Sequence, residues 1–345
     1  MRAGVVVAPG RLEVQTLPRP QTPEGGLLLR VVACGICGTD LRIFRHGDPR
    51  VPFPQVLGHE IVGTVQEVGP GAAGFAHGDL VVVAPPKAPC GACRFCHRGE
   101  TNLCPHGHSF GYQLPGGLAE YVAVPPGALR AGVVHRVRGE AAPHVLAFTE
   151  PVACCLRGQR KVGLGAGDRV VVIGAGPAGS LHIRLARLAG ASLIVVSERR
   201  AARRSHVRPW ADRVVDPQEE DLAQVVQGLT DGQGADVVIT ACSSADAQVQ
   251  ALTLVGRGGR INLFGGLPRG APPLPLDANL VHYQELTITG THGSTPAENA
   301  EALALLASGR LAVDDLVTHR LPLEEVERAF GAAQDLGAMK AVVCP

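Results

Sequence analysis

The chain has 345 residues, of which 46% are hydrophobic, and its 32 basic side chains almost balance its 31 acidic ones. This length and composition predict two globular domains and exclude a disordered chain. A net charge of +1 without a long basic run argues against a nucleic-acid partner, and no apolar stretch approaches the ~18 residues of a membrane span. No apolar core with a cleavage site occurs near the N-terminus, so we expect a cytoplasmic protein without a nucleic-acid or membrane partner.

Residues 1 to about 145 contain short apolar runs separated by glycine and proline. This spacing of turn signals is typical of a β-rich, barrel-like domain with few helices. The runs are GVVVAP at 4–9, GGLLLRVVACG at 25–35, IVGTVQEVG at 61–69, GDLVVVAPP at 78–86 and GGLAEYVAVP at 116–125.

From residue 146 to 291, strand-like apolar runs alternate with helix-length stretches. The strand-like runs are RVVVIG, SLIVVSE, DRVVD, ADVVITA, GRINLFG and LTITGT. Such alternation predicts βαβ units and a doubly wound parallel sheet, with LTITGT as an edge strand that could pair with another subunit. The tail, 292–345, has mixed signals with one amphipathic helix at 297–309.

A glycine-rich turn follows the first strand of this second region. In the dinucleotide-binding fingerprint, the first glycine permits a tight turn, the second lets the backbone approach a pyrophosphate, and the third lets the helix pack against the strand. The N-terminus of the next helix offers N–H groups to the phosphates. A purely structural turn is the alternative. The residues predicted to bind the dinucleotide here are Gly174, Gly176, Pro177, Ala178 and Gly179.

The second strand of this region ends in an acid. Glu198 follows Gly179 by 19 residues, where a carboxylate accepts hydrogen bonds from the adenosine ribose and repels a 2′-phosphate. NAD is therefore favoured. NADP remains the alternative because arginines follow the acid, and these could bind that phosphate or form a solvated helix face. The residues in question are Arg199, Arg200, Arg203 and Arg204, of which Arg199 and Arg203 are included in the predicted cofactor site, as are Gly265 and Gly266 at a later strand end.

Four of the ten cysteines form a C-x2-C-x2-C-x7-C series, made of Cys90, Cys93, Cys96 and Cys104. Four thiolates close a tetrahedral zinc shell with no open position, which is typical of a structural site. A redox switch, or a lobe without metal, is the alternative. Four-cysteine zinc also occurs in nucleic-acid-binding modules, but here it is one insertion in a long neutral chain.

A second set of candidate ligands comprises Cys37 in CGICGTD and His59 with Glu60 in LGHE. Catalytic zinc takes about three protein ligands and keeps one exchangeable position. A thiolate, an imidazole and a carboxylate meet that requirement, although a lone cysteine and histidine are more often part of a core.

Together these motifs resemble the zinc-containing alcohol dehydrogenase family of medium-chain dehydrogenases over essentially the whole chain. They are CGICGTD, GHE, the four-cysteine lobe, GGLAEYVAVP, TEPVACCLRG, GAGPAG and LVTHRLPLEE. Glu150-Pro151 stands where simple alcohol dehydrogenases have a cysteine ligand, which makes the chain most similar to the polyol (sorbitol-like) and L-threonine dehydrogenase branch.

The resemblance implies an α/β architecture: a GroES-like β-rich catalytic domain at 1–148 and 292–345, with a zinc lobe at 88–106, and a Rossmann domain at 149–291. It implies two zinc ions per chain and a homodimer or homotetramer. Cys37 and His59 would bind the catalytic zinc, and Glu60 would be a ligand or an exchangeable carboxylate beside it. Glu150 would bind zinc directly or through its water, and the Thr39 hydroxyl would bond the substrate oxygen and start proton release.

Two departures concern the substrate. Arg42 stands where sorbitol and threonine dehydrogenases typically carry a histidine, and Thr291-His292-Gly293 replaces a substrate-contacting arginine of sorbitol-type enzymes. The sequence therefore predicts a zinc- and NAD(P)-dependent dehydrogenase of a secondary alcohol in a polyol, cyclitol or sugar derivative. An L-threonine 3-dehydrogenase-like enzyme is the alternative, and a non-catalytic zinc-stabilised nucleotide-binding protein is a third hypothesis.

Overall fold

The computed structural model describes residues 1–335 and 337–345. The chain divides into two compact units, Met1–Ala153 with Gly293–Pro345, and Cys154–His292. No helix in these described residues has both the length and the apolar character that crossing a membrane requires.

The N-terminal segment is built from short strands with few helices, as its turn spacing predicts. Its strands are β1 (Arg2–Ala8), β2 (Arg11–Thr16), β3 (Leu27–Gly35), β4 (Gln55–Val56), β5 (Glu60–Val68), β6 (Leu80–Val83), β7 (Lys87–Ala88), β8 (His108–Ser109), β9 (Tyr121–Val124) and β10 (Val134–Arg136). Its helices are α1 (Gly38–His46), α2 (Arg94–His97), α3 (Pro126–Arg130), α4 (Pro143–Leu146) and α5 (Thr149–Lys161), with a 3₁₀ turn at Thr101–Leu103. Helix α5 contains the boundary between the two units.

The second unit alternates strands and helices. Its strands are β11 (Arg169–Ile173), β12 (Leu193–Ser197), β13 (Arg213–Val215), β14 (Ala235–Thr240), β15 (Val255–Leu263) and β16 (Thr287–Gly290). Its helices after α5 are α6 (Pro177–Leu188), α7 (Ala201–Val207), α8 (Leu222–Leu229), α9 (Ala245–Leu254) and α10 (Ala278–Tyr283).

These six strands form one parallel sheet in the order β13-β12-β11-β14-β15-β16. This is the doubly wound order in which the chain reverses direction beside its first strand, and ligands bind outside the carboxyl ends of strands at that point. Val171, Val195 and Val238 lie in one hydrophobic cluster, whereas Val172, Val196 and Ile239 lie in a second. Because both faces of each strand are buried, the strands appear in the sequence as continuous apolar runs.

The tail contributes more than the one helix expected from its pattern. That helix is α11 (Pro296–Ala307), which begins with a capping box between Thr295 and Glu298. The structure adds β17 (Val317–Pro322), α12 (Val326–Gln334), β18 (Lys340–Cys344) and 3₁₀ turns at Asp314–Leu316 and Leu323–Glu325.

Strand β18 completes the main sheet of the first unit. The order is β10-β6-β5-β3-β18-β17, and β9 also pairs with β3. β18 runs antiparallel to β3, with Val343 opposite Cys34. A three-stranded sheet, β2-β1-β4, and the pair β7-β8 complete the strand pairing of the unit. The start of β18 thereby lies in the same sheet as β3 and β5, whose ends carry the candidate metal ligands.

Candidate metal and dinucleotide sites

Cys37, His59 and Glu60 converge at one end of the β3–β5 pair. Cys37 follows β3 and is the N-cap of α1, whereas Glu60 is the first residue of β5 and is paired with Gly35. One ligand atom from each of the three side chains lies within 4.8 Å of the others. His59 and Glu60 are buried and Cys37 is half-buried. A thiol, an imidazole and a carboxylate at this spacing can hold a zinc ion.

Asp40, a residue that sequence reasoning left without a role, fixes His59. Its Oδ1 lies 3.2 Å from His59 Nδ1 and accepts the Gly58 N–H at 3.2 Å, and its Oδ2 accepts the Cys37 N–H at 2.9 Å. Burial alone would lower the pKa of His59, but the adjacent Asp40 carboxylate outweighs it and raises that pKa. Because Nδ1 is bonded to Asp40, Nε2 is the nitrogen available to a metal.

Glu60 is held from the far side by Lys340, which sequence reasoning also missed. Lys340 Nζ donates to Glu60 Oε1 at 2.6 Å, and the two side chains are 4% and 0% exposed. Burial raises the pKa of Glu60, and beside this carboxylate the pKa of Lys340 is raised as well. The second oxygen, Oε2, is buried without a hydrogen-bond partner among the described residues. It fits against Gly35, where any Cβ would collide with it.

Glu150 and Thr39 occupy the surroundings of this group. Glu150, in the first turn of α5, is buried, and its charge acts on both Glu60 and Lys340. Glu150 is not among the residues whose ligand atoms lie within 4.8 Å of one another, which are Cys37, His59 and Glu60. Thr39 lies half-buried in the first turn of α1, two residues after Cys37. Of the two candidate carboxylates, Glu60 is therefore the one grouped with Cys37 and His59.

The four-cysteine lobe brings all four sulfurs together. Cys90, Cys93, Cys96 and Cys104 each have Sγ within 4.8 Å of the others. The Cys93 and Cys96 sulfurs are 3.5 Å apart, and the Cys104 sulfur accepts the Cys90 N–H at 3.4 Å. A hydrogen bond from the Ala92 backbone N–H is the main cause that lowers the pKa of Cys90 to about 6. All ten cysteines are free thiols. Thiols in this arrangement match a closed tetrahedral shell.

The glycine-rich turn connects β11 to α6, which begins at Pro177. Gly174 has φ +98°, a left-handed conformation that favours glycine. A Cβ at Gly179 would collide with the Gly174 carbonyl oxygen, so only glycine lets the helix come this close to the turn. Gly176 is the N-cap of α6, and the Ala178 carbonyl accepts a long bond from the Cys155 thiol at 3.6 Å. The first turn of α6 thus offers free N–H groups at the carboxyl end of the sheet.

Glu198 lies beside this turn at the end of β12. Its Oε2 accepts the Ala175 N–H and its Oε1 the Arg200 N–H, both at 2.8 Å, and the residue is buried. It therefore joins the turn to the segment that follows β12. A carboxylate oxygen has two lone pairs, so each can still accept a ribose hydroxyl.

The arginines after Glu198 have different surroundings. Arg204 donates to the carbonyl oxygens of Glu198 and Arg199, at 3.0 and 2.8 Å, and pairs with Asp216, so it braces the loop. Arg203 lies over the turn, with Nη1 3.3 Å from where a Gly176 Cβ would be. Its Nε is buried without a hydrogen-bond partner in the part of the chain that the structure describes. Arg199 is exposed.

Gly265 and Gly266 follow β15 at the same sheet edge. A Cβ at Gly265 would collide with the Cys242 carbonyl oxygen, so this glycine is required by packing within the protein. Gly266 faces open space. Of the two, Gly266 has the room that a ligand would need.

Two family models match the chain. The alcohol dehydrogenase GroES-like domain matches residues 23–131, and the zinc-binding dehydrogenase domain matches residues 177–308. The first match lies within the strand-rich unit, and the second covers most of the unit with the parallel sheet together with α11.

Similar proteins cover nearly the whole chain. Sorbitol dehydrogenase of Halalkalibacterium halodurans is 30% identical over 97% of this chain and 96% of its own length. L-Threonine 3-dehydrogenase of Pyrococcus furiosus is 35% identical over 90% of this chain and 88% of its own. A zinc-binding dehydrogenase from Sinorhizobium meliloti 1021, solved bound to NADP, has a TM-score of 0.93 and 32% identity, covering 100% of this chain and 99% of that one.

Proposed function

The chain belongs to the zinc-containing alcohol dehydrogenase family, and we propose that it oxidises a secondary alcohol of a polyol, cyclitol or sugar derivative with NAD(P) as hydride acceptor. The observation that supports this most is the grouping of Cys37, His59 and Glu60 within 4.8 Å. Thr39 lies in the turn of helix that follows Cys37. A binding protein without turnover has no use for an incomplete metal shell beside a hydroxyl.

The residues present fit two zinc ions. Cys37 and His59 Nε2 would be two ligands of the first ion, and the orphaned Glu60 Oε2 supports a third. A fourth position would then be open to a substrate oxygen. The four sulfurs of the lobe would close the shell of the second ion, which supports a structural role. We therefore propose two zinc ions per chain.

When bound, zinc would supply Lewis-acid chemistry to a substrate hydroxyl, and the nicotinamide ring would accept the hydride. The chain's own residues orient these partners. Asp40 fixes the His59 ring through Nδ1, and Lys340 holds Oε1 of Glu60. Thr39 has a hydroxyl that can accept the proton released from the substrate hydroxyl and donate its own towards solvent.

The dinucleotide would bind at the carboxyl end of the parallel sheet. The pyrophosphate would accept N–H bonds from the first turn of α6 and a charged bond from Arg203, whose guanidinium lies over Gly176. Glu198 would accept the adenosine ribose hydroxyls. Its buried carboxylate disfavours a 2′-phosphate, which supports NAD. Because the exposed Arg199 can pair with a 2′-phosphate, NADP is tested as well.

A second candidate function is an L-threonine 3-dehydrogenase-like activity, favoured by the 35% identity with the Pyrococcus furiosus enzyme. Arg42 in place of the expected histidine argues against it. We also propose a homodimer or homotetramer, because β16 lies at the edge of the parallel sheet, where a strand of another subunit can pair with it. Light scattering would measure its mass directly.

The test assays the zinc-loaded protein with a panel of substrates. Reduction of NAD or of NADP is measured by the absorbance of the nicotinamide. The panel contains polyols, cyclitols, sugar acids and L-threonine. We expect reduction with a polyol-type substrate and none with L-threonine. Reduction with L-threonine alone would favour the second candidate. No reduction with any alcohol, in a protein holding two zinc ions, would favour a non-catalytic nucleotide-binding protein.

A further inference from the structure

Two arginine side chains donate hydrogen bonds to the buried carboxylate of Asp48, which lies two residues after α1. Arg50 donates from Nε to Oδ1 and from Nη2 to Oδ2, both at 2.9 Å, and its backbone N–H adds a bond at 3.0 Å. Arg42 donates from Nη1 to Oδ2 at 3.1 Å. The Asp48 side chain is 3% exposed, whereas those of Arg42 and Arg50 are 48% and 51% exposed. Both guanidinium groups are therefore anchored at one edge and open to solvent at another.

The cluster carries excess positive charge. Hydrogen bonds from Arg50 hold the pKa of Asp48 well below its ordinary value, so the carboxylate stays ionised. One carboxylate cannot neutralise two guanidinium groups. The cluster therefore keeps a net positive charge that can attract a further anion.

Arg50 retains the geometry to bind a second anion. Its Nε and Nη2 edge is used by Asp48. Asp48 does not use the edge formed by Nη1 and the outer N–H of Nη2, although the Tyr112 side chain also interacts with the guanidinium. Such an edge matches a carboxylate or a phosphate with two parallel hydrogen bonds. Asp48 therefore fixes the orientation of Arg50 without consuming its second binding edge.

Tyr112 connects this cluster to the candidate metal site. The Arg50 guanidinium lies over the Tyr112 ring, 4.8 Å from its centroid, and the Tyr112 and His59 ring centroids are 6.3 Å apart. The guanidinium is therefore at most about 11 Å from the His59 ring. An extended carbon chain advances about 1.2 Å per bond. A six-carbon chain therefore advances about 6 Å over its five bonds, and a terminal anionic group with its hydrogen bond to the guanidinium adds about 4–6 Å, so the two together can span such a gap.

We propose that Arg50, with Arg42 beside it, binds an anionic group of the substrate, a carboxylate or a phosphate at the end of a polyol chain. The proposal rests on the proposed function, because it requires an alcohol that reacts beside His59. It narrows the substrate from polyols in general to sugar acids or polyol phosphates. It also gives a physical role to Arg42, the residue at which the sequence departs from sorbitol and threonine dehydrogenases.

The test compares substrates that share stereochemistry and differ in charge. One series is sorbitol, gluconate and sorbitol 6-phosphate, and a second is galactitol, galactonate and galactitol 1-phosphate. The readout is the ratio of kcat/KM for each anion to that for its neutral polyol. Arg50→Gln should lower this ratio about ten- to a hundredfold, the value of a charged hydrogen bond. Arg45→Gln is the matched control, since Arg45 is an exposed arginine of α1 that bonds Gln334, and it should leave the ratio unchanged.

The outcomes separate this proposal from the proposed function. A wild-type protein that prefers neutral polyols in both series, or an Arg50→Gln ratio equal to that of the control, overturns the proposal and leaves the dehydrogenase function standing. A larger KM for NAD(P), with the ratio unchanged, also overturns it, since Arg50 would then bind the dinucleotide. Preference for the carboxylate arm or the phosphate arm identifies the anion.

A second measurement needs neither turnover nor a variant. Phenylglyoxal modifies exposed arginines, and the peptide that contains Arg50 can be followed by mass spectrometry. Gluconate or sorbitol 6-phosphate should protect this peptide in the zinc-loaded protein with dinucleotide present, whereas sorbitol should not. Equal modification with anionic and neutral compounds overturns the proposal even if no substrate is turned over.

Discussion

Replacing Lys340 by methionine should destabilise the protein far more than an ordinary ion-pair mutation. Lys340 and Glu60 are joined at 2.6 Å, and their side chains are 4% and 0% exposed. The substitution leaves the Glu60 carboxylate buried without its cation, which costs about 3–5 kcal/mol. Arg328 and Glu325 are joined at 2.7 Å, but their side chains are 73% and 40% exposed. Arg328→Met should therefore cost less than about 1 kcal/mol.

The assay is the free energy of unfolding, measured by urea titration of the metal-free protein. The double variant Lys340→Met with Glu60→Gln should be more stable than Lys340→Met alone, because no buried charge is left uncompensated. Since protonated Glu60 needs no cation, and burial holds the pKa of Glu60 above its ordinary value, the loss should shrink as pH falls through this raised range, before the ordinary pKa of glutamate is reached. Zinc should restore part of the loss if Glu60 faces the metal. A Lys340→Met loss no larger than that of Arg328→Met refutes the reasoning.

Three further predictions concern the lobe and the dinucleotide site. Cys96→Ser should lower Tm and remove one zinc ion, because structural zinc contributes to folding; an unchanged Tm contradicts this. Gly179→Ala should lower the free energy of unfolding in urea by at least about 2 kcal/mol, because its Cβ collides with the backbone. Gly176→Ala should leave the free energy of unfolding near that of the control Gly165→Ala. It should, however, weaken dinucleotide binding about tenfold, as measured by calorimetry. The reverse pattern contradicts the roles given to these glycines. Glu198→Gln loses one acceptor and its charge, so the ratio of kcat/KM for NAD to that for NADP should fall about tenfold; an unchanged ratio contradicts the ribose contact.

The second unit was the most predictable part of the fold. Parallel strands covered on both faces appear as continuous apolar runs. Five of the six runs named from the sequence contain a whole strand of the sheet, and GRINLFG, at 259–265, covers the later part of β15. The glycine-rich turn is equally local, since its conformation depends on residues within one strand-to-helix connection. Short-range pattern was therefore enough for this unit.

The tail was less predictable because its strands pair with distant residues. Strand β18 lies between β3 and β17, so its position depends on residues some three hundred positions away. Strand β17, at the edge of the sheet, alternates exposed residues with half-buried or buried ones and gives no continuous apolar run. Local periodicity detects α11, but it does not show that the C-terminus enters the first sheet.

The residues that hold the candidate metal ligands in place could not be predicted either, because they too contact residues far away in the sequence. Asp40 lies inside CGICGTD but acts on His59, 19 positions away, and Lys340 acts on Glu60, 280 positions away. A signal for Lys340 did exist. The chain has only three lysines, and this one begins the apolar run KAVVC, where a charge requires a buried partner. The identity of that partner depends on tertiary structure.

The most direct test of the central claim is the zinc content of Cys37→Ser, measured together with its dinucleotide reduction. Wild type should hold two zinc ions per chain and reduce NAD(P) with a polyol-type substrate. The variant should hold one ion and bind the dinucleotide as before, with no reduction, because Cys37 belongs to the site beside His59 and Glu60 and not to the lobe. A variant that keeps both zinc ions and its activity would contradict the assignment of this site as the catalytic metal centre.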